Sequence, residues 1–419
     1  MRLTIFTGAY PVGQDIGGIG LRYWELAQAL AGTGVHTTLV CPPGSDPSWT
    51  RAGVAIETFG EDTWRDRVDA SAAVMTGAEP DPRVILHAHR AGKLLIAEAG
   101  VPVEHLDYDL LRGAEDPARV YAEVLATYQL QVLTADHMVT RAEIERAGVY
   151  ATLACLGRLS PLQHARSRTL DHLVSLLPIG FGQAADLAAR AAPVTAEPVD
   201  FTWSGGIWDF YDTGAVTAAL TLLREEGVRP RVRFLYAPPA HQLVDEAGRL
   251  EAAVRREGLQ DQVQRYPGPL DHTARDGVLK ASRALVCLGR PGVENEICVR
   301  LRMRDALLYR TPVVVDRHGA SGDWVRAQGI GLAVDTRDPR QVADALTALA
   351  RDTAAYTGCL HALERIRPNH FFEANIGPLL RVLEAGERAP DAGCSAQSAA
   401  VERLLADFPA LNDAPLQLT

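Results

Sequence analysis

One stretch near the amino terminus decides the fold: residues 3–40 read LTIFTGAYPVGQDIGGIGLRYWELAQALAGTGVHTTLV. It begins with a short apolar run at residues 3–6, and the apolar residues at 21–30 then recur at helical spacing. A second apolar run at residues 35–40 follows the Gly-Thr-Gly that stops this helix. The pattern predicts strand, loop, helix and strand, which together form a right-handed βαβ unit with parallel strands.

The rest of the chain repeats this alternation of short apolar runs and helical segments. The strands predicted in this way lie at residues 54–58, 84–88, 101–106, 131–134, 173–177, 201–203, 231–236, 262–266, 284–288 and 312–316. The helices predicted between them lie at residues 118–128, 142–147, 215–226, 244–257, 273–281, 299–309 and 339–353. The sequence therefore predicts an α/β protein with two Rossmann-like domains in tandem.

Composition suggests where these domains begin and end. Residues 183–199 are rich in alanine and contain Pro193 and Pro198, as is typical of a connector. The predicted segments are, in chain order, an N-terminal domain at 1–182, a linker at 183–199, a C-terminal domain at 200–366, a helix returning to the N-terminal domain at 367–389 and a tail at 390–419, which is loosely held up to an amphipathic run at 399–405.

Composition also excludes several classes of protein. The 419 residues are 47% apolar and 22% charged, which excludes a disordered chain and allows more than one core. The net charge is −10, and the basic residues, 40 arginines of 42, are scattered, so nucleic acid is not an expected partner. No apolar run reaches the roughly 18 residues of a membrane helix, and the first residues lack a signal-peptide pattern, so we expect a cytoplasmic protein.

Two glycine pairs follow predicted strands, where parallel sheets bind ligands. Gly17 and Gly18 precede the first helix, so backbone N–H groups could approach an anion there, although a tight turn explains them equally. The loop lacks GxGxxG and no carboxylate follows the second strand, which disfavours NAD. Gly205 and Gly206 hold the equivalent position in the second domain, and the aromatic residues after them could stack on a ligand or pack in the core: Trp208, Phe210 and Tyr211.

Two histidines are candidates for the acceptor side. His87 and His89 lie at the end of the strand predicted at 84–88, where a period of two would place both on one face. There they could handle a proton at an acceptor hydroxyl, or they could be structural. A metal pair completed by Asp107 or Asp109 is a third interpretation, but it leaves an incomplete ligand set, and the cysteines form no CxxC pair.

The densest polar segment lies between the strands predicted at 284–288 and 312–316, and it contains Glu294, Asn295, Glu296, Arg300, Arg302, Arg304 and Asp305. Arg302 and Asp305 share a helix face, so one interpretation is an exposed ion pair between them. The other is an arginine fork for a diphosphate with carboxylates for sugar and ribose hydroxyls. Under the second interpretation, removal of the Asp305 carboxylate should weaken ligand binding and leave stability nearly unchanged.

In their order, these features resemble the two-domain GT-B glycosyltransferases, in particular the retaining enzymes of glycosyltransferase family 4. The resemblance covers about residues 1–385. It depends on five successive segments: a GxxxRxxELAxxL helix at 18–30, a GRxxP segment at 157–161, a vPfG-like closure at 178–181, a GGiWDWyDP-like loop at 205–212 and an ExxxxxRTRxxD-like helix at 294–305. Two positions depart from the pattern, since Thr213 replaces a proline and Leu301 a threonine.

The resemblance implies two Rossmann-like domains facing a cleft. It also implies transfer of a sugar, with retention, from a nucleoside diphosphate sugar to an acceptor hydroxyl or similar nucleophile, without metal or cofactor, in the biosynthesis of a glycan or glycosylated natural product. The site residues expected from it are His89, Glu294 and Arg302 as catalytic; Gly17, Gly18, Arg22, Gly205, Gly206, Trp208, Gly268, Leu270, Asn295, Glu296, Arg300 and Asp305 for the donor; and His87, Asp107 and Asp109 for the acceptor.

Two alternatives stay open, and so does a homodimer. The first is a nucleotide-sugar epimerase of the same fold, which turnover without an acceptor would favour. The second is a non-catalytic GT-B partner subunit, which tight donor binding without turnover would favour. The departures at Thr213 and Leu301 keep the second alternative open.

Overall fold

The protein is described by a computed structural model, which covers residues 1–14, 16–100, 102–107, 109–235, 245–266 and 270–413. The chain divides into two compact units: unit 1 is Met1–Pro178 with Phe372–Thr419, and unit 2 is Ile179–Phe371. These divisions lie a few residues from the boundaries expected at 182 and 366. The stretch expected as a linker, 183–199, lies inside unit 2 and carries a helix, so the linker prediction is wrong.

Unit 1 contains a seven-stranded sheet with the order β3-β2-β1-β4-β5-β6-β7. Its strands are β1 Arg2–Phe6, β2 His36–Cys41, β3 Val54–Thr58, β4 Ala73–Thr76, β5 Leu94–Glu98, β6 His137–Thr140 and β7 Val174–Leu176. All of these pairings are parallel, with Ile5 of β1 opposite Leu39 of β2 and Met75 of β4. The strand order reverses between β1 and β4, the kind of position at which such sheets bind ligands.

Helices cover both faces of this sheet, as a parallel sheet requires. In the first part of the chain they are α1 Gly18–Ala31, α2 Trp64–Ala70, α3 Pro82–Arg90, α4 Asp109–Arg112, α5 Pro117–Thr134, α6 Glu143–Cys155 and α7 Pro161–Arg166. The core packs α1 against one face, through Leu26 and Leu30, and α3 and α5 against the other, through Ile85 and Leu130.

Unit 2 repeats the plan with a six-stranded parallel sheet in the order β10-β9-β8-β11-β12-β13. The strands are β8 Val199–Trp203, β9 Val232–Phe234, β10 Val263–Arg265, β11 Ser282–Cys287, β12 Val313–Asp316 and β13 Gly331–Val334. The helices are α8 Gln183–Ala191, α9 Thr213–Glu225, α10 Asp245–Glu257, α11 His272–Lys280, α12 Val293–Ile297, α13 Met303–Tyr309, α14 Ala320–Gln328, α15 Pro339–Arg351 and α16 Thr353–Ile366.

The strand predictions agree with the structure for β8 to β12 of unit 2 but miss β13, and they fail in part of unit 1. Residues 84–88 belong to helix α3, residues 102–106 to a 3₁₀ helix, and residues 131–134 to the end of α5, whereas strands β4, β5 and β6 were missed. Short buried apolar runs do not distinguish strand from helix by periodicity. The Asp81-Pro82 pair does mark a helix start, because the Asp81 side chain accepts from the Arg83 N–H and proline suits the first helical position.

The carboxyl-terminal segment belongs to unit 1 and forms α17 Phe372–Asn375, α18 Gly377–Ala385, α19 Ser395–Asp407 and α20 Ala410–Asp413. The prediction that the tail is loosely held before residue 399 is wrong, whereas the amphipathic run predicted at 399–405 lies in α19. Asp391 is 4% exposed and accepts from Arg158 Nε at 2.9 Å and Nη2 at 2.7 Å. Val401 and Leu404 of α19 join the core cluster that contains Leu130. No helix in the described ranges is both long and apolar enough to cross a membrane.

The ion pair of Asp391 makes a testable contribution to stability. Burial raises the pKa of the Asp391 carboxyl, but Arg158 and Gln163 lower it by more, so the pKa lies below its usual value. The carboxylate therefore stabilises the fold above the pKa of about 3.9 of an unfolded aspartate, and this contribution is lost as the pH falls through the folded-state value.

We expect Asp391→Asn to lower the free energy of unfolding at pH 7 by about 3–5 kcal/mol, because Arg158 would remain buried without its partner. Urea unfolding measures this loss. The matched control is Glu387→Gln, since Glu387 pairs with Arg166 where both side chains are half exposed. The control should cost less than about 1 kcal/mol. Equal losses in the two variants would show that the tail is not anchored by the buried pair.

Candidate functional site

Three loops of unit 2 meet at the carboxyl ends of the adjacent strands β8, β11 and β12. The amide N–H of Asp212 donates to the carbonyl of Leu288 at 2.9 Å, and that of Arg290 to the carbonyl of Phe210 at 2.9 Å. The amide of Gly289 donates to Asp316 Oδ1 at 2.6 Å. The structure thus brings together the second glycine pair and the polar segment that the sequence singled out separately.

Arg302 lies against the glycine pair. Its Nη2 donates to the carbonyl oxygen of Gly206 at 2.9 Å, and its Cζ lies 4.1 Å from the centre of the Tyr211 ring and 5.4 Å from that of Trp203. A Cβ at Gly205 would lie 2.9 Å from the same Nη2, so another residue here would displace the guanidinium from this position. Hydrogen bond and cation–π contacts together fix the orientation of the guanidinium.

The charge of Arg302 has no carboxylate partner among the residues that the structure describes. Its neighbours differ, because Arg290 pairs with Glu246, Arg300 with Glu294 and Arg304 with Asp305. The interpretation of an Arg302–Asp305 ion pair is therefore wrong. An oriented guanidinium without a carboxylate partner, beside a glycine-rich loop, is suited to an anionic ligand.

Glu294 and Arg300 form a buried ion pair with each other. The guanidinium of Arg300 bonds to the Glu294 carboxylate, and the two residues are 5% and 6% exposed, respectively. Arg300 also lies 4.5 Å from the centre of the Phe210 ring and donates to Asn295 Oδ1 at 3.2 Å. In this arrangement each side chain neutralises the charge of the other, and their contacts with donor sugar and phosphate stay predictions.

Asn295 is a buried hub of the same loops. It is 1% exposed, and its Nδ2 donates to Asp316 Oδ2 at 2.5 Å and to the carbonyl of His318 at 2.6 Å. Burial raises the pKa of the Asp316 carboxyl, although bonds from Asn295 and Gly289 oppose the shift. The amide therefore holds the β11 and β12 loops together.

The remaining donor-side candidates of unit 2 take varied positions. Trp208 is half-buried and lies against Gly206, where a Cβ would be 2.5 Å from its Nε1. Glu296 is exposed and Leu270 is half-buried. Gly268 lies outside the described residues.

Asp305 is buried and pairs with two other arginines, not with Arg302 in an exposed ion pair. It is 3% exposed, and it accepts from Arg275 Nη2 at 2.5 Å and from Arg304 Nη1 at 3.3 Å. Burial raises the pKa of its carboxyl, but these two arginines lower it by more, so the pKa lies below the usual value. Arg275 also donates to the carbonyl of Ser204 at 2.9 Å, which links Asp305 to the β8 loop. The Asp305 carboxylate thus helps to hold the β8 loop, α11 and α13 together.

In unit 1, the first glycine pair is exposed whereas Arg22 is buried. Gly17 and Gly18 are exposed at the start of α1, and a Cβ at Gly17 would meet nothing within 4 Å. Arg22 is 3% exposed and donates to Glu98 Oε1 at 2.8 Å and to the carbonyl of Leu177 at 2.8 Å. Arg22 therefore secures the chain leaving β7, and packing does not explain the glycine at position 17.

The acceptor-side histidines are not on one face of a strand, because both lie in helix α3, where residues two apart point in different directions. His87 Nε2 lies 2.8 Å from Asp69 Oδ1, whereas His89 Nδ1 lies 3.2 Å from Arg388 Nη2. Burial, followed by the charge of Arg388, lowers the pKa of His89 and favours neutral imidazole. The side chains of Asp107 and Asp109 lie outside those that the structure describes.

Three residues that contact the loops of unit 2 were not identified as candidates from the sequence: Glu246, Arg290 and Arg275. Glu246 is fully buried, at 0% exposure, and bonds to Thr213, 33 residues away. No short-range pattern marks such a carboxylate, because its partners come from other elements. The sole signal was Thr213, which stands in place of the proline of the resembled loop.

Two parallel sheets with this strand order define the class: the chain has the GT-B fold of two-domain glycosyltransferases. It is similar to sucrose-phosphate synthase from Thermosynechococcus elongatus, with 17% identity, a TM-score of 0.63 and coverage of 92% of this chain and 100% of that one. WaaG, a glycosyltransferase involved in lipopolysaccharide biosynthesis, gives 11% identity, a TM-score of 0.57 and coverage of 91% and 98%.

A protein described as a UDP-N-acetylglucosamine 2-epimerase from Listeria monocytogenes is similar too, with 11% identity, a TM-score of 0.55 and coverage of 92% and 95%. No protein-family model matches the sequence, and no curated protein matches it. At these identities, the likeness establishes the fold.

The buried pair predicts the behaviour of Asp305→Asn. We expect the free energy of unfolding to fall by about 3 kcal/mol, the low end for a buried pair because Arg275 is partly exposed. The matched control is Asp323→Asn, since Asp323 pairs with Arg326 in solvent and its loss should cost less than about 1 kcal/mol. Chemical unfolding of the two variants tests this expectation. Unchanged stability together with weaker nucleotide binding would instead support a contact between Asp305 and the ribose.

Proposed function

We propose that the protein is a hexosyltransferase-like glycosyltransferase, which moves a sugar with retention from a nucleoside diphosphate sugar to an acceptor hydroxyl or similar nucleophile. The observation that carries the proposal is Arg302, an oriented guanidinium without a carboxylate partner among the described residues, beside Gly205 and Gly206. The GT-B fold supports it, since the similar structures named above include two enzymes that by name make or transfer sugars.

The chemistry follows from charge. Departure of the nucleoside diphosphate places negative charge on its phosphate oxygens, and a guanidinium can donate two parallel hydrogen bonds to such oxygens. Because Tyr211 and Gly206 already hold Arg302, little reorganisation is needed when this charge develops. In a retaining transfer the departing diphosphate assists attack on the same face, so the protein supplies positioning and charge stabilisation more than a nucleophile.

The proposal includes a cytoplasmic location and biosynthesis of a glycan or glycosylated natural product. It needs no cofactor beyond the nucleoside diphosphate sugar. The acceptor and the state of assembly, a homodimer included, are left open by the residues on which the proposal depends.

The first test is binding of nucleoside diphosphate. We expect Arg302→Leu to weaken calorimetric binding of UDP, GDP or ADP, whichever binds the unmodified protein, by about ten- to a hundredfold, as for loss of a hydrogen bond to a charged group. The matched control is Arg229→Leu, which removes the same charge from a pair with Asp261 in solvent. Equal affinity of the two variants would refute the phosphate role of Arg302.

A second test concerns metal ions. If Arg302 supplies the positive charge for the diphosphate, sugar transfer should persist in excess EDTA, measured as nucleoside diphosphate released. The control adds Mg²⁺ or Mn²⁺ after the chelator. Activity that disappears with EDTA and returns with the cation would mean that a metal carries the diphosphate charge.

Epimerisation is the second candidate, because a protein described as an epimerase is among those of similar structure. The two activities separate in one assay with a panel of nucleotide sugars. Release of nucleoside diphosphate that requires an acceptor indicates transfer, and the anomeric configuration of the product, measured by NMR, shows whether it is retained. A change in the sugar without any acceptor indicates epimerisation.

A further inference from the structure

A fully buried carboxylate lies beside the aromatic loop of unit 2, which comprises residues 205–212. Glu246, near the start of α10, is 0% exposed, and both of its oxygens are used. Oε1 accepts from the amide of Thr213 at 2.8 Å and from its hydroxyl at 2.7 Å. Oε2 accepts from Arg290 Nη2 at 2.5 Å and from Arg249 Nη1 at 3.2 Å. A buried carboxylate is tolerated only with such a set of donors.

Glu246 and Arg290 together hold the backbone of the loop. The amide of Glu246 donates to Asp209 Oδ1 at 2.8 Å. The amide of Arg290 donates to the carbonyl of Phe210 at 2.9 Å, and its Nε to the carbonyl of Tyr211 at 2.8 Å. Two of these contacts come from the amide of Glu246 and from the Arg290 guanidinium that its carboxylate binds, so Glu246 helps to fix the position of the loop.

The loop in turn places the rings against which the arginines lie. Tyr211 is 4% exposed, its ring centre lies 4.1 Å from Arg302 Cζ and 5.0 Å from Arg300 Cζ, and its ring meets that of Trp203 edge to face. A shift of the Tyr211 backbone would therefore move the surface that orients Arg302.

Thr213 makes this arrangement specific to the chain. Proline, which the resembled loop has here, lacks an N–H and a hydroxyl, so it could give Glu246 neither hydrogen bond. Thr213 is the first residue of α9, a position that proline would otherwise suit. Thr213 thus supplies both of the hydrogen bonds that the Oε1 atom of the buried Glu246 carboxylate accepts.

We propose that Glu246 is a positioning residue of the nucleotide site, which acts through Arg290 and Thr213 on the aromatic loop and through Tyr211 on Arg302. This inference rests on the proposed function of Arg302.

The experiment is a double-mutant cycle on calorimetric affinity for the nucleoside diphosphate, UDP, GDP or ADP, that binds the unmodified protein. Glu246→Gln keeps the shape of the side chain but turns one acceptor into a donor. We expect it to weaken binding about tenfold in the unmodified protein and by less than about twofold in the Arg302→Leu protein, because its effect passes through Arg302. The matched control is Glu251→Gln on the same helix, an exposed carboxylate that pairs with Arg265 and Arg255.

The outcomes are distinct. Equal losses of affinity from Glu246→Gln in both backgrounds, or no loss in either, would overturn the positioning role. If Arg302→Leu alone leaves the affinity unchanged, the proposed function of the site fails instead.

Should Glu246→Gln not fold, Thr213→Val removes one donor to Oε1 while keeping the side-chain shape. Its control is Thr221→Val, whose hydroxyl bonds within its own helix to the carbonyl of Thr217. We expect a smaller loss of the same pattern for Thr213→Val, about threefold, which again vanishes without Arg302. A loss that persists without Arg302 would overturn the inference.

Discussion

Parallel pairing of strands is the constraint on which the rest of the structure depends. In both sheets every described strand runs the same way, so the chain must return over a face of the sheet after each strand, and helices cover both faces. The same constraint gathers all carboxyl ends of the strands at one edge. The loops after β8, β11 and β12 therefore lie side by side, and their residues interact across large distances in sequence.

At that edge, arginine–carboxylate pairs replace the apolar packing of the sheet interior. Arg275 with Asp305 and Arg290 with Glu246 link separate segments of the chain, and Arg300 with Glu294 forms a pair within the segment between β11 and β12. Such pairs add modest net stability but strongly disfavour rearrangement, since separating either partner leaves a buried charge. Arg302 is held within this frame by an aromatic ring and a carbonyl oxygen, so its orientation is fixed, and no described carboxylate neutralises its charge.

In unit 1, buried arginines also pair with carboxylates, and there they hold segments of the chain in place. Arg22 and Arg158 are both buried, and each secures a piece of chain: Arg22 the residues after β7, and Arg158 the carboxyl-terminal segment through Asp391. The GRxxP segment that helped to mark the family resemblance thus has a structural task here.

Local periodicity and turn residues are enough to predict the alternation of strand and helix, the two Rossmann-like units and the loops at which a site should be sought. The sequence analysis missed β4, β5, β6 and β13, and it took residues 84–88 of α3 for a strand, because a short apolar run does not by itself distinguish a strand from a helix. Tertiary structure alone decided which charged residues pair. Arg302 and Asp305 are three residues apart, yet Asp305 pairs with Arg275, 30 residues away, and Glu246 receives its donors from two other elements. Local sequence cannot specify such partners, because the low-dielectric interior rewards whichever donors the folded backbone brings within reach.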